Sequence, residues 1–266
     1  MSSISKVLSI FDLFDETTAV LTAEEIVAKL GCSRPQGYRY IRELCTTGFL
    51  ARLSGSYSLG PRIIELDYFV RMADPLLRIA EPLMRDLRDK IACDVTLVEM
   101  YGDHLIGVHH ERCVDTHLVG YGRGRPMPIF RGSTYKVLIA NLPVARQKQL
   151  FLRHPEEVKT STLGKTWDEM RADLRKIRKA GYSISVGEVD QHNVGIAVPI
   201  LDEAGVSVAV LTLIVPAVRY KTSNQEMLIE IVRDVAADIN RQIRYQSERS
   251  KHLQQPAPAK KSVRVR

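Results

Sequence analysis

A short segment of the sequence carries side chains that could contact DNA. Guanidinium groups bind phosphates and guanine, and amide or phenol groups exchange hydrogen bonds with bases and backbone. If residues 34–46 form a helix, one face of it is polar and carries Arg34, Gln36, Tyr38, Arg39 and Arg42, with Pro35 in the first turn. The opposite face carries Gly37, Tyr40, Ile41 and Leu44. An arginine-rich face can also be a solvated surface of an ordinary helical hairpin. The neighbouring elements decide between this interpretation and a DNA-binding face.

A second segment could bind an anion. The run from Pro128 to Lys136, PIFRGSTYK, takes a strand through a glycine-containing loop into a helix N-terminus near Ser133. Free backbone amides and the helix dipole favour an anion there, and Arg131 adds a positive charge. We expect a carboxylate ligand. A plain strand-to-helix connection is the alternative.

Further polar residues could complete a pocket around this anion site. A polar loop precedes the apolar strand that starts at Gly195, and it contains Ser185, Glu188, Asp190, His192 and Asn193. Thr212 places a hydroxyl on a strand that is otherwise Val, Leu and Ile. We hypothesise that these groups converge on one pocket.

Signatures of an enzyme or of a metal site are missing from the sequence. It has no Gly-x-Ser-x-Gly elbow, no P-loop and no Gly-x-Gly-x-x-Gly after a strand. His109 and His110 are adjacent in a predicted strand, so they face opposite sides and cannot share a metal. The cysteines lack ligand spacing and are expected to be packed thiols: Cys32, Cys45, Cys93 and Cys113. We predict a protein that is not an enzyme and needs neither a cofactor nor a metal.

Composition and charge set limits on the class of protein. With 266 residues, 45% hydrophobic and 26% charged, the chain has room for two globular domains. It has no apolar run near the ~20 residues of a membrane helix and no signal peptide, which favours a cytoplasmic protein without membrane contact. The net charge is +7, but residues 1–60 contain six basic and six acidic residues, and the excess lies from Arg241 onward. The DNA-binding prediction therefore depends on the polar helix face rather than on total charge.

A helix-turn-helix is the element that would present that face. Thr22 and Glu25 predict a capping box for a first helix that ends at Gly31. Ser33 is expected to cap the second helix, with Gln36 as its reciprocal partner, and Gly48 to end it. An earlier helix over 4–14 would complete a three-helix core.

A hairpin follows the second helix. Two short strands, 49–53 and 56–59, flank the turn Ser54-Gly55 and predict a wing. Arg52, Ser54, Ser56 and Tyr57 would meet the DNA backbone or minor groove.

The remainder of the chain predicts an α+β domain with a largely antiparallel sheet. A helix over 62–72 would link the domains, and Asp74-Pro75 starts another helix in which Pro82 produces a kink or marks the true start. Predicted strands are 94–101, 104–111, 116–121, 125–130, 182–186, 195–201 and 206–215. Predicted helices begin near Ser133, Val144 and Thr166, and Ser223 with Glu226 caps a last one. After about Tyr245 the chain lacks apolar periodicity and contains Pro256 and Pro258, which predicts a disordered basic tail.

The sequence resembles the isocitrate lyase regulator (IclR) family of bacterial transcription regulators over about residues 4–245. The resemblance rests on SKVLSIFDLF, LTAEEIVAKLGCSRPQGYRYIRELCTTGFLAR, SYSLGPRIIEL, PIFRGSTYKVLIANL and KAGYSISVGEVDQHNVGIAVPILDEAG. It implies a winged helix-turn-helix over 1–60, a linker helix over 61–74 and a GAF-like effector domain over 75–245, followed by the tail 246–266. It also implies a double-stranded DNA operator, a small carboxylic-acid effector, and a homodimer or homotetramer.

The family pattern also places effector-binding positions on this chain. They are Phe130, Gly132, Ser133, Ser185, Gly195 and Thr212, with Arg131, Thr134 and Tyr135 in the same segment. The chain departs from the family at Gly37, where many relatives have Val, at Tyr135, where Gly is frequent, and at Gly195, where Cys is frequent. The larger Tyr135 and Phe130 would favour a larger or aromatic acid. The alternative function is a ligand-independent DNA-binding repressor whose second domain only oligomerises.

Overall fold

The chain folds into two units that divide between Asp74 and Pro75. The computed structural model describes residues 2–113 and 122–253. In chain order, the N-terminal unit contains α1 (Ser3–Leu8), a 3-10 turn (Phe11–Leu13), β1 (Leu21–Thr22), α2 (Ala23–Leu30), α3 (Arg34–Thr46), β2 (Leu50–Leu53), β3 (Ser56–Leu59) and α4 (Arg62–Ala73).

Local signals fix the ends of α2 and α3, with one difference from prediction. Thr22 and Glu25 form the predicted capping box, and Gly31 ends α2 with φ of 58°. Ser33 is the N-cap residue of α3, but its side chain makes no cap hydrogen bond. The predicted Ser33–Gln36 box is wrong because the Gln36 amide donates instead to the Tyr40 hydroxyl, one turn further on, at 2.7 Å.

The first helix is shorter than the predicted 4–14. It ends at Leu8, where the Ser9 hydroxyl donates to the Lys6 carbonyl and offers the backbone an alternative partner. The chain then turns, and Ile10 is completely buried among residues of α2 and α3. Phe11 contacts Phe49 with ring centroids 5.8 Å apart.

The wing is a three-stranded sheet rather than a two-stranded hairpin. β2 and β3 pair across the predicted turn, where Ser54 and Gly55 both have positive φ. This matches the turn type that suits a hairpin. β1 adds a third strand, with Leu21 opposite Tyr57, and the order is β1-β3-β2.

The C-terminal unit alternates strands and helices. It contains α5 (Pro75–Ile91), β4 (Asp94–Tyr101), β5 (His104–Glu111), β6 (Pro126–Met127), α6 (Gly132–Ala140), α7 (Val144–Arg153), α8 (Pro155–Thr160), α9 (Trp167–Ala180), β7 (Ser183–Val186), β8 (Asn193–Leu201), β9 (Ser207–Pro216), α10 (Ala217–Thr222) and α11 (Gln225–Leu253).

One antiparallel sheet organises this unit. Its order is β6-β5-β4-β9-β8-β7, and every neighbouring pair is antiparallel. α5 and α11 contribute to the apolar core that contains Val95 and Leu97. α6 and α9 contribute to a second apolar core, which contains Val98. The predicted α+β class with an antiparallel sheet is confirmed.

Several boundaries in the C-terminal unit differ from prediction. α5 begins at Pro75 and continues through Pro82. The strand predicted over 125–130 is reduced to Pro126–Met127, because the chain then turns through Phe130 with φ of 57°. The strand predicted over 116–121 lies outside the described residues.

The last helix also differs in both its start and its end. The side chain of Asn224, not that of Ser223, accepts the Met227 amide at 3.1 Å, because the Ser223 hydroxyl donates to the Arg219 carbonyl. α11 continues to Leu253, beyond the predicted start of a disordered tail at 246, because no glycine or proline interrupts the chain before Pro256. No helix among the described residues is long and apolar enough to cross a membrane.

Candidate functional site

The polar face of α3 and the wing form one concave surface. Arg34, Pro35, Tyr38, Arg39 and Arg42 are exposed and Gln36 is half-buried, whereas Gly37, Tyr40, Ile41 and Leu44 are buried as predicted. A groove of about 420 Å³ is lined by Pro35, Tyr38, Arg39, Ile41, Arg42, Cys45, Arg52 and Tyr57. Three guanidinium groups therefore surround one depression, which suits a phosphate backbone.

Tyr38 is tied to the neighbouring helix. Its hydroxyl donates to Glu24 Oε1 at 2.5 Å. This hydrogen bond lowers the pKa of Glu24, and the same contact raises the pKa of Tyr38. The phenol is thus held against α2 rather than extended freely from α3.

The two wing serines lie outside the groove. Ser54 is at the exposed turn, and Ser56 pairs with Thr22 across the small sheet. They could reach DNA only at the tip or edge of the wing.

A second site is a small cavity between α6 and the large sheet. Its volume is about 30 Å³, which is room for no more than a few water molecules. Eight of the nine predicted effector residues line it: Arg131, Gly132, Ser133, Thr134, Tyr135, Ser185, Gly195 and Thr212.

Phe130, the ninth, is absent from that lining. Its ring is completely buried and lies 4.7 Å, centroid to centroid, from the ring of Tyr135. Burial raises the pKa of the Tyr135 phenol, whose oxygen has no hydrogen-bond partner among the described residues. Both rings belong to the core cluster between α6 and α9.

Hydroxyl groups cover the sheet side of the cavity. Thr134 Oγ1 and Thr212 Oγ1 are 2.9 Å apart and hydrogen-bonded. A Cβ at Gly195 would lie 2.6 Å from Ser133 Oγ and 3.2 Å from Ser185 Oγ. Glycine at this position therefore allows two serine hydroxyls to approach the strand.

The predicted anion site is occupied by a carboxylate of the protein itself. The Gly132 N–H and the Thr162 hydroxyl both donate to Glu188 Oε2, at 3.0 and 3.2 Å. Lys136 forms an ion pair with the other carboxylate oxygen, and the Arg131 guanidinium donates to the Glu188 backbone carbonyl. The α6 N-terminus is therefore paired with an internal carboxylate, whereas the sequence predicted a carboxylate ligand at this position.

The loop that carries Glu188 covers the start of α6. A Cβ at Gly132 would come within 2.8 Å of Val189 Cγ2, so only glycine fits beneath this loop. Asp190 accepts hydrogen bonds from the His192 amide and the Asn193 side chain, both at 2.9 Å, which fixes the loop shape. Glu188, Val189, Asp190 and Asn193 line the cavity, whereas His192 does not.

Three polar residues of this site were not predicted from the sequence: Lys136, Thr162 and Thr96. Lys136 is 6% exposed, and a buried lysine needs a counterion, so its place one turn after Gly132 was an available signal. Thr162 and Thr96 had no such signal. Among the described residues, no group of three or more His, Cys, Asp or Glu side chains could hold a metal.

Comparison with known proteins gives matches along nearly the whole chain. Residues 3–54 match the IclR helix-turn-helix domain, and residues 70–241 match the family described as bacterial transcriptional regulator IclR C-terminal. The HTH-type transcriptional regulator KdgR of Dickeya chrysanthemi is 27% identical over 252 residues, covering 92% of this chain and 81% of that protein. The HTH-type transcriptional regulator KipR of Bacillus subtilis (strain 168) is 25% identical over 250 residues, covering 91% of this chain and 97% of that protein.

Solved structures share the fold. An IclR homolog from Microbacterium hydrocarbonoxydans, complexed with 4-hydroxybenzoate, aligns with a TM-score of 0.74 over 92% of this chain and all of that one, at 22% identity. The two family models together account for both units. The chain therefore belongs to the IclR family of bacterial transcriptional regulators.

Proposed function

We propose that this regulator binds its operator as a dimer and that a small organic acid, bound beside α6, controls this binding. The outer residues of α3 enter the major groove, and the wing lies on the flanking backbone. The proposed DNA contacts are Arg34, Pro35, Gln36, Tyr38, Arg39, Arg42, Arg52, Ser54, Ser56 and Tyr57.

Exposed apolar side chains on α4 support association of the chain. None of its residues is buried, and Ile64, Tyr68, Phe69 and Val70 are each more than half exposed. Apolar groups clustered in this way indicate a protein interface. A homodimer, or a pair of dimers, would cover them.

The observation that carries the effector proposal is the position of Glu188. A backbone N–H, a hydroxyl and a buried ammonium group converge on one carboxylate, and an acid of similar geometry would find the same donors. The acid must displace Glu188 to reach them, and the cavity must enlarge as the loop 187–192 moves. The ligand of the Microbacterium homolog, 4-hydroxybenzoate, is also a carboxylate.

Loop displacement would link ligand binding to the rest of the molecule. An effector can shift the operator-binding equilibrium only by the difference in its affinity for the two states. Release of Glu188 supplies such a difference, because the acid binds only when the loop leaves the α6 N-terminus.

The alternative is a ligand-independent repressor whose C-terminal unit only oligomerises. The small cavity and the satisfied donors around Glu188 favour it. Acids should change operator affinity under the first function and leave it unchanged under the second, so a test of the anion site is followed by a test of operator binding.

The experiment removes the internal carboxylate. Glu188→Ala leaves Lys136 and the Gly132 N–H without a partner, so we expect acetate at tens of millimolar to raise the melting temperature of this variant more than chloride at equal ionic strength. The wild type and a surface control, Glu156→Ala, should respond equally to both salts. Equal responses in all three proteins would reject the anion site.

A second arm tests control of DNA binding. Operator affinity of the wild type is titrated with aliphatic and aromatic acids. We expect at least one acid to change the affinity, and Glu188→Ala should respond at lower acid concentration because no internal competitor remains. Operator binding that no acid alters would favour the ligand-independent repressor.

A further inference from the structure

Thr96 carries an unpaired hydroxyl at the sheet side of the cavity. The residue lies in β4, is 3% exposed and lines the cavity. Its Oγ1 is buried and has no hydrogen-bond partner among the described residues. Buried hydroxyl groups in proteins nearly always have a partner, so this exception needs an explanation.

The sheet itself cannot supply the missing partner. Thr96 lies between Thr212 on β9 and His110 on β5 in the strand register. The Thr212 hydroxyl is hydrogen-bonded to Thr134 at 2.9 Å, and the His110 ring is 2.9 Å from Asp94. Each flanking polar group already has a partner of its own.

Strand formation does not require a threonine here. Valine has nearly the same shape and an equal preference for strands, and the neighbouring Val95, Leu97 and Val98 are completely buried. An unsatisfied hydroxyl destabilises the folded state relative to a methyl group in the same place. The hydroxyl is therefore better explained by a ligand than by folding.

Both polar and apolar groups line the cavity. Gly132 at the α6 N-terminus lines it, as does Glu188, whose carboxylate pairs with Lys136, and Thr96 lines it from the sheet. Leu105, Met127 and Ile214 contribute the apolar lining. A ligand that fills such a cavity would carry a carboxylate, an apolar body and a second hydrogen-bonding group.

We propose that Thr96 is a specificity-determining residue that hydrogen-bonds a second polar group of the effector, which makes the effector a hydroxy or oxo acid rather than a plain carboxylic acid. This inference rests on the proposed function, because it needs an acid bound beside α6. The ligand reaches Thr96 when Glu188 and its loop leave the α6 N-terminus.

Matched pairs of acids test this inference. Calorimetric titrations compare 4-hydroxybenzoate with benzoate and lactate with propionate, against the wild type, Thr96→Val and Thr96→Ser. We expect the wild type to bind the hydroxylated acid of at least one pair about tenfold more tightly, the usual effect of one hydrogen bond. Thr96→Val should lose this preference but still bind the plain acid, and Thr96→Ser should keep it.

The remaining outcomes separate the inference from the proposed function. A preference that survives in Thr96→Val, or a wild type that binds both members of each pair equally, overturns the role of Thr96 and leaves an acid effector in place. If no acid binds the wild type, both are overturned. The melting temperature of Thr96→Val should equal or exceed that of the wild type, so lost binding would not reflect misfolding.

Discussion

Gly37 lies on the inner face of α3, where a side chain would collide with α2. A Cβ at this position would be 2.4 Å from Val27 Cγ2 and 3.3 Å from Cys32 Sγ. Val27 is β-branched and buried, so it cannot rotate away freely. The ~1 kcal/mol that glycine costs in a helix is therefore accepted for a closer approach of the two helices.

Substitution of Gly37 tests this packing. We expect Gly37→Ala to lower the free energy of unfolding by about 1 kcal/mol, because the overpacking penalty exceeds the gain in helix propensity. Urea denaturation measures this loss. Gly37→Ala should destabilise the Val27→Ala variant less than it destabilises the wild type. Strictly additive effects would show that the two side chains do not compete for space.

Arg39 is the residue whose loss should affect DNA binding most directly. It is exposed on the polar face of α3, and its guanidinium carbon is 5.7 Å from the centroid of the Tyr40 ring. We expect Arg39→Ala to weaken operator binding by about 1–3 kcal/mol if it contacts a base, and uniformly across sequences if it contacts a phosphate. Fluorescence anisotropy at fixed salt measures this, with Arg175→Ala, at an exposed site on α9, as the control. Unchanged affinity would exclude α3 as the recognition helix.

Asp103 joins the β4–β5 turn to α7. Its carboxylate accepts from Arg146 at 2.6 Å and from Arg153 at 3.1 Å. Burial opposes ionisation, but the hydrogen bonds from Arg153 and Arg146 outweigh it and lower the pKa of Asp103 below its usual value of 3.8. The predicted strands 94–101 and 104–111 imply a turn at this place, whereas the link of the turn to α7 was not predicted.

The Asp103 link should be sensitive to acid. Because the pKa is lower in the folded state than in the unfolded state, the stabilisation is present above about pH 4 and disappears as the pH falls through the folded value. We expect Asp103→Asn to unfold at lower urea concentration than the wild type at pH 7, and this difference to shrink at pH 3. Asp86→Asn, at an exposed site on α5, is the control. A difference that does not depend on pH would exclude the charged link.

The elements that sequence could predict are those whose signals are local. The Thr22–Glu25 and Thr166–Glu169 boxes each lie within four residues, and both are present. The two-residue β1 exists only through its pairing with β3, and α8 and α10, at six residues each, are too short to show periodicity.

Contacts between distant residues explain the part of the site that was missed. Glu188 lies 52 residues from Lys136 and 56 from Gly132 in the sequence. No local pattern indicates that the polar loop reaches the α6 N-terminus. The sequence could therefore predict an anion site, but not that the protein supplies its own anion.

The exposed apolar surface of α4 determines the assembly that we expect. Ile64 and Tyr68 are one helical turn apart and are 75% and 59% exposed. Neither contributes to the N-terminal core, so charged groups there should disrupt association without unfolding the domain. Operators of dimeric helix-turn-helix proteins contain two half-sites, and a monomer would contact only one.

We therefore expect Ile64→Glu/Tyr68→Glu to be monomeric in light scattering, to retain its helix content, and to lose most of its affinity for a two-half-site operator. Affinity for a single half-site should change little, because the polar face of α3 is intact. Val218→Glu places the same charge on α10 at a residue that is 82% exposed, and it should keep the wild-type mass. A double variant with the wild-type mass would show that association uses another surface, and the exposed side chains of α4 would then need a different partner.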